Sequence, residues 1–212
     1  MLPGDDIVKK CPFCESFILE PTVVSGNTFG AEFWSDGFMK APMYPEFPWL
    51  VECYSCHELF WLDESNEIDR IHPGATPEAQ YRNARAYITP DENKYLEVIQ
   101  NNKLPKKKEE YVRIRAWWAA NDSIRLVPAP PEDFAFSEGE VKNLIALNDL
   151  LKKPNPQKRL MRAELMRELG RFDEAMALLN HKFPSELLPV AKILKNLCEK
   201  KNRFVAVITE DI

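Results

Sequence analysis

Two cysteine pairs of the same spacing, Cys11-Pro12-Phe13-Cys14 and Cys53-Tyr54-Ser55-Cys56, supply four of the five cysteines in this chain. Thiols at this spacing ligate metal. A Cys-x-x-Cys turn sets two sulfurs about 2.3 Å from one ion while backbone N–H groups inside the turn donate to them, so two such turns complete a tetrahedron. Four protein ligands leave no position for water or substrate. The pattern therefore predicts one structural Zn2+ per chain, held by Cys11, Cys14, Cys53 and Cys56. His57 follows Cys56 directly and is read as a neighbour of the site, because the four thiols already fill it.

Little else in the sequence could carry catalysis. None of the three histidines has a partner at i+3 or i+4, and the chain holds neither a glycine-rich phosphate loop nor a nucleophile elbow. The expectation is a non-enzymatic protein. Trp34, Asp36 and Phe38 offer an acidic aromatic face for a basic peptide or another protein, with turn capping before Gly37 as the plainer reading of Asp36. The basic run Lys103, Lys106, Lys107, Lys108, Arg113 and Arg115 suggests a nucleic-acid-associated regulator as an alternative, although Glu109 and Glu110 interrupt it. Residues 1–65 oppose that use, with three lysines against eleven acids for a net of −8, while the rest of the chain totals +3.

The elements that must position the thiols are short strands. The 38 residues between Cys14 and Cys53 are rich in Gly, Pro and aromatics, with turn signals at Gly26-Asn27 and Asp36-Gly37. Too many aromatics crowd the first 65 residues for so small a region to bury, so many are expected to pack on the helices that follow, near Trp117 and Trp118. After Asp63 the grammar becomes helical. Thr76-Pro77-Glu78 and Thr89-Pro90-Asp91-Glu92 predict two short helices, and Pro105 opens a longer one that ends at Asn121-Asp122. Val127 to Pro131 reads as a linker. Beyond it, a capping box at Ser137–Glu140 starts a helix, a second runs from Pro156 to Leu169 before Gly170, a third from Phe172 to about His181, and a fourth begins near Ser185 with Pro189 in its first turn.

Residues 9 to 63 resemble a zinc ribbon, in which two knuckles at the ends of short antiparallel strands hold one metal. The stretch from Arg162 to Ala175 resembles the middle of a tetratricopeptide repeat, with Ala163, Gly170, Phe172 and Ala175 at the small and aromatic positions; Arg159 and Leu187 depart from that pattern. Together they look like uncharacterised bacterial proteins named for those two features. The implied fold is mainly α with a small β part: a zinc-ribbon domain at 1–65, a helical middle region and Pro-rich linker at 66–131, and a tetratricopeptide-like helical region at 132–212. The resemblance brings no activity with it; the function expected from the residues is that of a non-enzymatic protein-interaction or adaptor protein.

Two redox readings compete for the same thiols. Paired knuckles also occur in rubredoxins, which hold iron, but there glycine usually follows each second cysteine, where this chain has Glu15 and His57. Cys-Pro-Phe-Cys alone matches a glutaredoxin active site, yet Pro21 and Thr22-Val23-Val24 leave little room for the helix that must follow it. The composition, 45% hydrophobic and 29% charged, suits a globular chain, and no run approaches the ~18 apolar residues of a membrane span. The acidic start lacks the apolar core of a secretory signal, so a cytoplasmic location and reduced thiols are expected.

Overall fold

The computed structural model describes residues 1–101, 103–127 and 134–208. Among them, ten short strands precede six α-helices: β1 (Leu2–Pro3), β2 (Asp6–Lys10), β3 (Phe17–Glu20), β4 (Val23–Ser25), β5 (Glu32–Phe33), β6 (Met39–Lys40), β7 (Leu50–Glu52), β8 (Leu59–Trp61), β9 (Glu67–Ile71) and β10 (Arg85–Ala86), then α1 (Glu92–Asn101), α2 (Lys106–Arg125), α3 (Glu138–Leu150), α4 (Pro156–Glu168), α5 (Phe172–Leu179) and α6 (Leu188–Glu199). They form two compact units. One comprises residues 1–31 and 40–90, the other residues 32–39 and 91–212.

In the first unit β2 lies antiparallel to both β3 and β9, and β10 adds parallel to β3, giving the order β10-β3-β2-β9. The antiparallel ribbon expected to close at residue 65 thus recruits later chain, including one parallel strand, and the unit runs to Pro90. No α-helix follows Thr76-Pro77-Glu78. Only a single 3-10 turn forms, at Ala79–Tyr81, because Arg85 and Ala86 pair with Ile18 and Leu19 and because the buried Tyr81 ring meets Phe17 edge-on at 4.9 Å. Sheet pairing and burial override the local cap signal. One core cluster joins Ile18, Val51, Phe60 and Leu62 to Cys11 and Cys53, and Val8, Leu50 and Tyr81 are buried in the same unit.

The second unit follows helix-capping rules closely. Asp91 rather than Thr89 caps α1, its Oδ1 accepting from the Lys94 amide at 3.0 Å. The Ser137–Glu140 capping box starts α3 as expected, and Asn155 caps α4 with Pro156 at the first helical position. Gly170, at φ +74°, ends α4: its amide bonds Arg167 O at 2.9 Å and that of Arg171 bonds Met166 O at 2.8 Å, the paired bonds of a Schellman turn. Ala163 and Ala175, both fully buried, bring α4 and α5 together above a core that also holds Leu144, Leu147, Leu165, Leu179 and Leu194. α2 does not stop at Asn121-Asp122 but continues to Arg125, because the Asn121 side chain is completely buried among partners instead of bonding its own backbone. Of the Pro-rich linker, residues 128–131 lie outside the described residues.

A hairpin from between the cysteine pairs belongs to this helical unit. β5 and β6 are joined by a turn in which Trp34 N donates to Phe38 O and Gly37 N to Trp34 O, both at 2.9 Å; Gly37 there takes φ +81°. The C-terminal stretch pairs with the same hairpin, Ser35 N to Ala206 O at 2.8 Å and Ile208 N to Phe33 O at 2.7 Å. Of the crowded N-terminal aromatics, Phe38 does meet a later helix, its ring 5.5 Å from that of Trp118, whereas Phe13 and Phe29 are exposed at 61% and 83%.

Candidate metal centre and a buried charge cluster

Each cysteine pair folds into the same knuckle. Glu15 N donates to Cys11 O and Cys11 N to Ser16 O; His57 N donates to Cys53 O and Cys53 N to Glu58 O, all four bonds at 3.0 Å. The repeat of this pattern follows from the repeat of the spacing, and it requires a left-handed residue after each second cysteine. Glu15 and His57 fill those positions at φ 60° and 62°. A side chain there costs about 1 kcal/mol relative to glycine. Replacing Glu15 by glycine is therefore expected to stabilise the first unit by up to about 1 kcal/mol, since the Lys10–Glu15 contact it removes is a 3.7 Å pair at the surface. Thermal melts of the two proteins check this, and a lower melting temperature for the variant would contradict it.

The knuckles face one another. Cys11 Sγ lies 3.7 Å from Cys56 Sγ, Cys14 Sγ lies 3.7 Å from Cys53 Sγ, and all four sulfurs fall within 4.8 Å of one another. A disulfide would need about 2.0 Å. A tetrahedron of metal–sulfur bonds of about 2.3 Å has edges of about 3.8 Å, so the spacing suits four sulfurs around a single ion. Cys11 and Cys53 are buried, Cys56 is half-buried and Cys14 is exposed. The Ser55 amide donates to Cys53 Sγ at 3.3 Å, the N–H···S bond expected inside a knuckle. Charge also favours a cation. The Ser16 hydroxyl and amide pull the Cys14 thiol down to about 6. Burial raises that of Cys11. Cys56 is pushed up to about 12: the Glu58 amide favours its thiolate, but burial and the three neighbouring sulfurs outweigh it. Four sulfurs this close ionise together only if a positive ion sits among them.

His57 takes no part in the sulfur cluster. Its Nδ1 lies 2.6 Å from Oε1 of the buried Glu52, which holds the ring beside the second knuckle.

Trp34, Asp36 and Phe38 are brought together, and around a cation, but the cation is the chain's own. The Arg125 guanidinium forms a short ion pair with Asp36 Oδ2 and lies 4.4 Å from the centre of the Phe38 ring and 5.6 Å from that of Trp34. Asp36 is only 1% exposed. Its Oδ1 also caps the turn by accepting from Phe38 N at 3.1 Å, so both sequence readings of this residue meet in one carboxylate.

Behind it lies a cluster that sequence reasoning missed. Asn121 Nδ2 donates to Asp36 Oδ2 at 3.0 Å and to Glu168 Oε1 at 3.2 Å, and Trp117 Nε1 donates to Glu168 Oε2 at 2.7 Å. One turn earlier on α4, Glu164 holds Arg167 through Nε at 2.7 Å and Nη2 at 2.5 Å, while Arg167 also reaches Asn202 O at 2.5 Å and Ser35 Oγ at 3.5 Å. Glu164, Arg167 and Glu168 have no exposed surface. The signal was present in the spacing: Leu160, Ala163, Glu164, Arg167 and Glu168 occupy i, i+3, i+4, i+7 and i+8, placing three charges on the apolar stripe of a helix. Burial, and secondarily Glu164, drive the Glu168 carboxyl well above its ordinary range, and burial lifts Asp36 to about 6 in spite of Arg125.

No helix among the described residues is long and apolar enough to cross a membrane. No protein-family model matches the sequence, and comparisons with curated proteins and with solved structures return no match.

Proposed function

We propose that this protein is a non-enzymatic interaction protein whose first unit is stapled by one structural zinc ion. The observation that carries the metal half is the four-sulfur cluster, with its 3.7 Å edges and a full set of protein ligands. Zinc is preferred over iron for two reasons: the segment resembles a zinc ribbon, and non-glycine residues follow both knuckles. A d10 ion with four thiolates has no redox chemistry and no open position, so its contribution is to folding. The cluster beside it supports that role, since Cys11 and Cys53 are themselves buried in it with Ile18, Val51, Phe60 and Leu62, so the sulfurs form part of the unit's core.

Binding to other proteins is supported by what the first unit exposes. Phe13, Val24 and Phe29 are 61%, 69% and 83% exposed on a unit that carries twelve acids against six bases. That charge opposes a phosphate backbone and suits a partner surface with basic and apolar groups.

The test is elemental analysis and a visible spectrum of protein purified without added metal. One zinc per chain and no visible band is the expected result. Iron with thiolate absorption would move the assignment to electron transfer, and four titratable thiols without metal would remove the staple. Partner capture that persists as salt is raised supports the interaction role, whereas DNA or RNA binding that falls steeply with salt would replace it with the basic helix start at 103–115.

A further inference from the structure

The buried cluster of the helical unit contains three carboxylates, Asp36, Glu164 and Glu168, and two guanidiniums, Arg125 and Arg167. With every group ionised it carries one uncompensated negative charge away from water, an arrangement of high cost. The groups facing it complete the account. From α2, Asp122 touches Arg125 at 2.6 Å on its exposed side, and Asn121 and Trp117 are neutral donors. From α6, burial holds Cys198 as a neutral thiol. After α6, Arg203 is engaged with the backbone, donating from Nε to Glu168 O at 2.9 Å. Arg203 and Asp122 offset one another at its edge, so among the described residues one negative charge remains, and it is balanced by a proton. Its place is marked too: Asn121 Nδ2 bridges Asp36 and Glu168, while the buried Asn121 Oδ1 has no hydrogen-bond partner among the described residues and can accept from a carboxylic acid once the amide reorients.

We propose that this cluster is a one-proton latch that seats the hairpin 32–39 and the C-terminal segment 204–208 on the helical unit. Glu164 and Glu168 sit on one helix and cannot separate. Asp36 sits on a two-stranded hairpin and can. When the shared proton leaves, repulsion among the three carboxylates is relieved by moving Asp36 outward. The C-terminal segment follows, because Ser35 N and Oγ bond Ala206 and Phe33 O accepts from Ile208. A carboxyl whose folded affinity for protons is raised contributes stability that is complete below its unfolded pKa and is lost as pH rises through its folded one. The latch is therefore tight in mild acid and loosens towards alkaline pH.

Amide hydrogen exchange of the intact, metal-loaded protein tests this at Ser35 and Ile208, whose amides bond across the hairpin and tail. After correction for intrinsic exchange, protection at these two amides is expected to fall at least tenfold from pH 5 to pH 8, following the linkage slope of one bound proton. Core amides of α4 should change less. Glu168→Gln keeps the shape and removes the excess charge, so its protection should be independent of pH. Wild-type protection that is flat over this range, or a Glu168→Gln variant with the wild-type slope, would overturn the latch. Should that variant fail to fold, infrared spectroscopy of the wild type decides: a buried carboxylic-acid band present at pH 5 and gone at pH 8 is required, and its absence at pH 5 is equally fatal.

Discussion

Replacing Cys53 by serine is expected to release the metal and unfold the first unit. Cys53 is fully buried, its sulfur lies 3.7 Å from that of Cys14, and it accepts the Ser55 amide. A serine hydroxyl stays protonated and is too hard a donor to replace a thiolate in such a set. Binding of a structural zinc ion to sites of this kind contributes about 10–16 kcal/mol, as much as the whole stability of a typical domain. The cluster around Ile18, Val51, Phe60 and Leu62 cannot make up that loss. Elemental analysis should find no metal, and limited proteolysis should cut within residues 1–31 and 40–90, while the helical circular dichroism of α1 to α6 persists. Cys198→Ser is the control. That thiol is buried on α6 and is not one of the four clustered sulfurs, so metal content should not change. A Cys53→Ser protein that keeps both its metal and its resistance to protease would refute the structural centre.

Asp36→Ala should cost the helical unit about 3 kcal/mol without altering metal content. Removing one partner of a buried ion pair leaves the other charge unsolvated, a loss of about 3–5 kcal/mol. The lower figure applies because Asp122 still touches the Arg125 side chain, itself only 5% exposed. The substitution also deletes the acceptor for Asn121 Nδ2 and the cap of the hairpin turn. Asp36→Asn keeps the cap and leaves two carboxylates against two guanidiniums, so it should be the milder change, and milder still at pH 8 than at pH 5. Urea unfolding followed by the helical circular dichroism of α1 to α6 measures both. Equal losses for Ala and Asn would mean that side-chain shape, not charge, holds the hairpin.

What was legible in the sequence was local. A Cys-x-x-Cys knuckle needs only its own few residues, so the two pairs marked four candidate ligands before any fold was known. The capping box at Ser137–Glu140, the stop at Gly170 and the apolar spacing of α3 to α6 are likewise encoded within a turn or two. The elements that departed from local expectation have partners far away in the chain. The helix signalled at Thr76-Pro77-Glu78 gave way to strand β10 because β3, some sixty residues earlier, offers its edge. α2 ran past Asn121 because Asp36 and Glu168 satisfy that amide from 85 and 47 residues away.

The residue types at both sites were readable before folding: four thiols spaced to suit a metal ion, and Trp34, Asp36 and Phe38 as an acidic aromatic face in which Asp36 also reads as a turn cap. Which cation meets the triad depends on contacts between segments far apart in the chain. It is Arg125, because the hairpin between the knuckles folds with the helices, and a guanidinium delivered within the same chain pays no entropy of association. The three charges on the buried stripe of α4 were visible as a pattern, but their balance depends on groups from the hairpin, α2 and the C-terminal segment. Compensation of buried charge is a property of what meets in space, which sequence spacing alone does not specify.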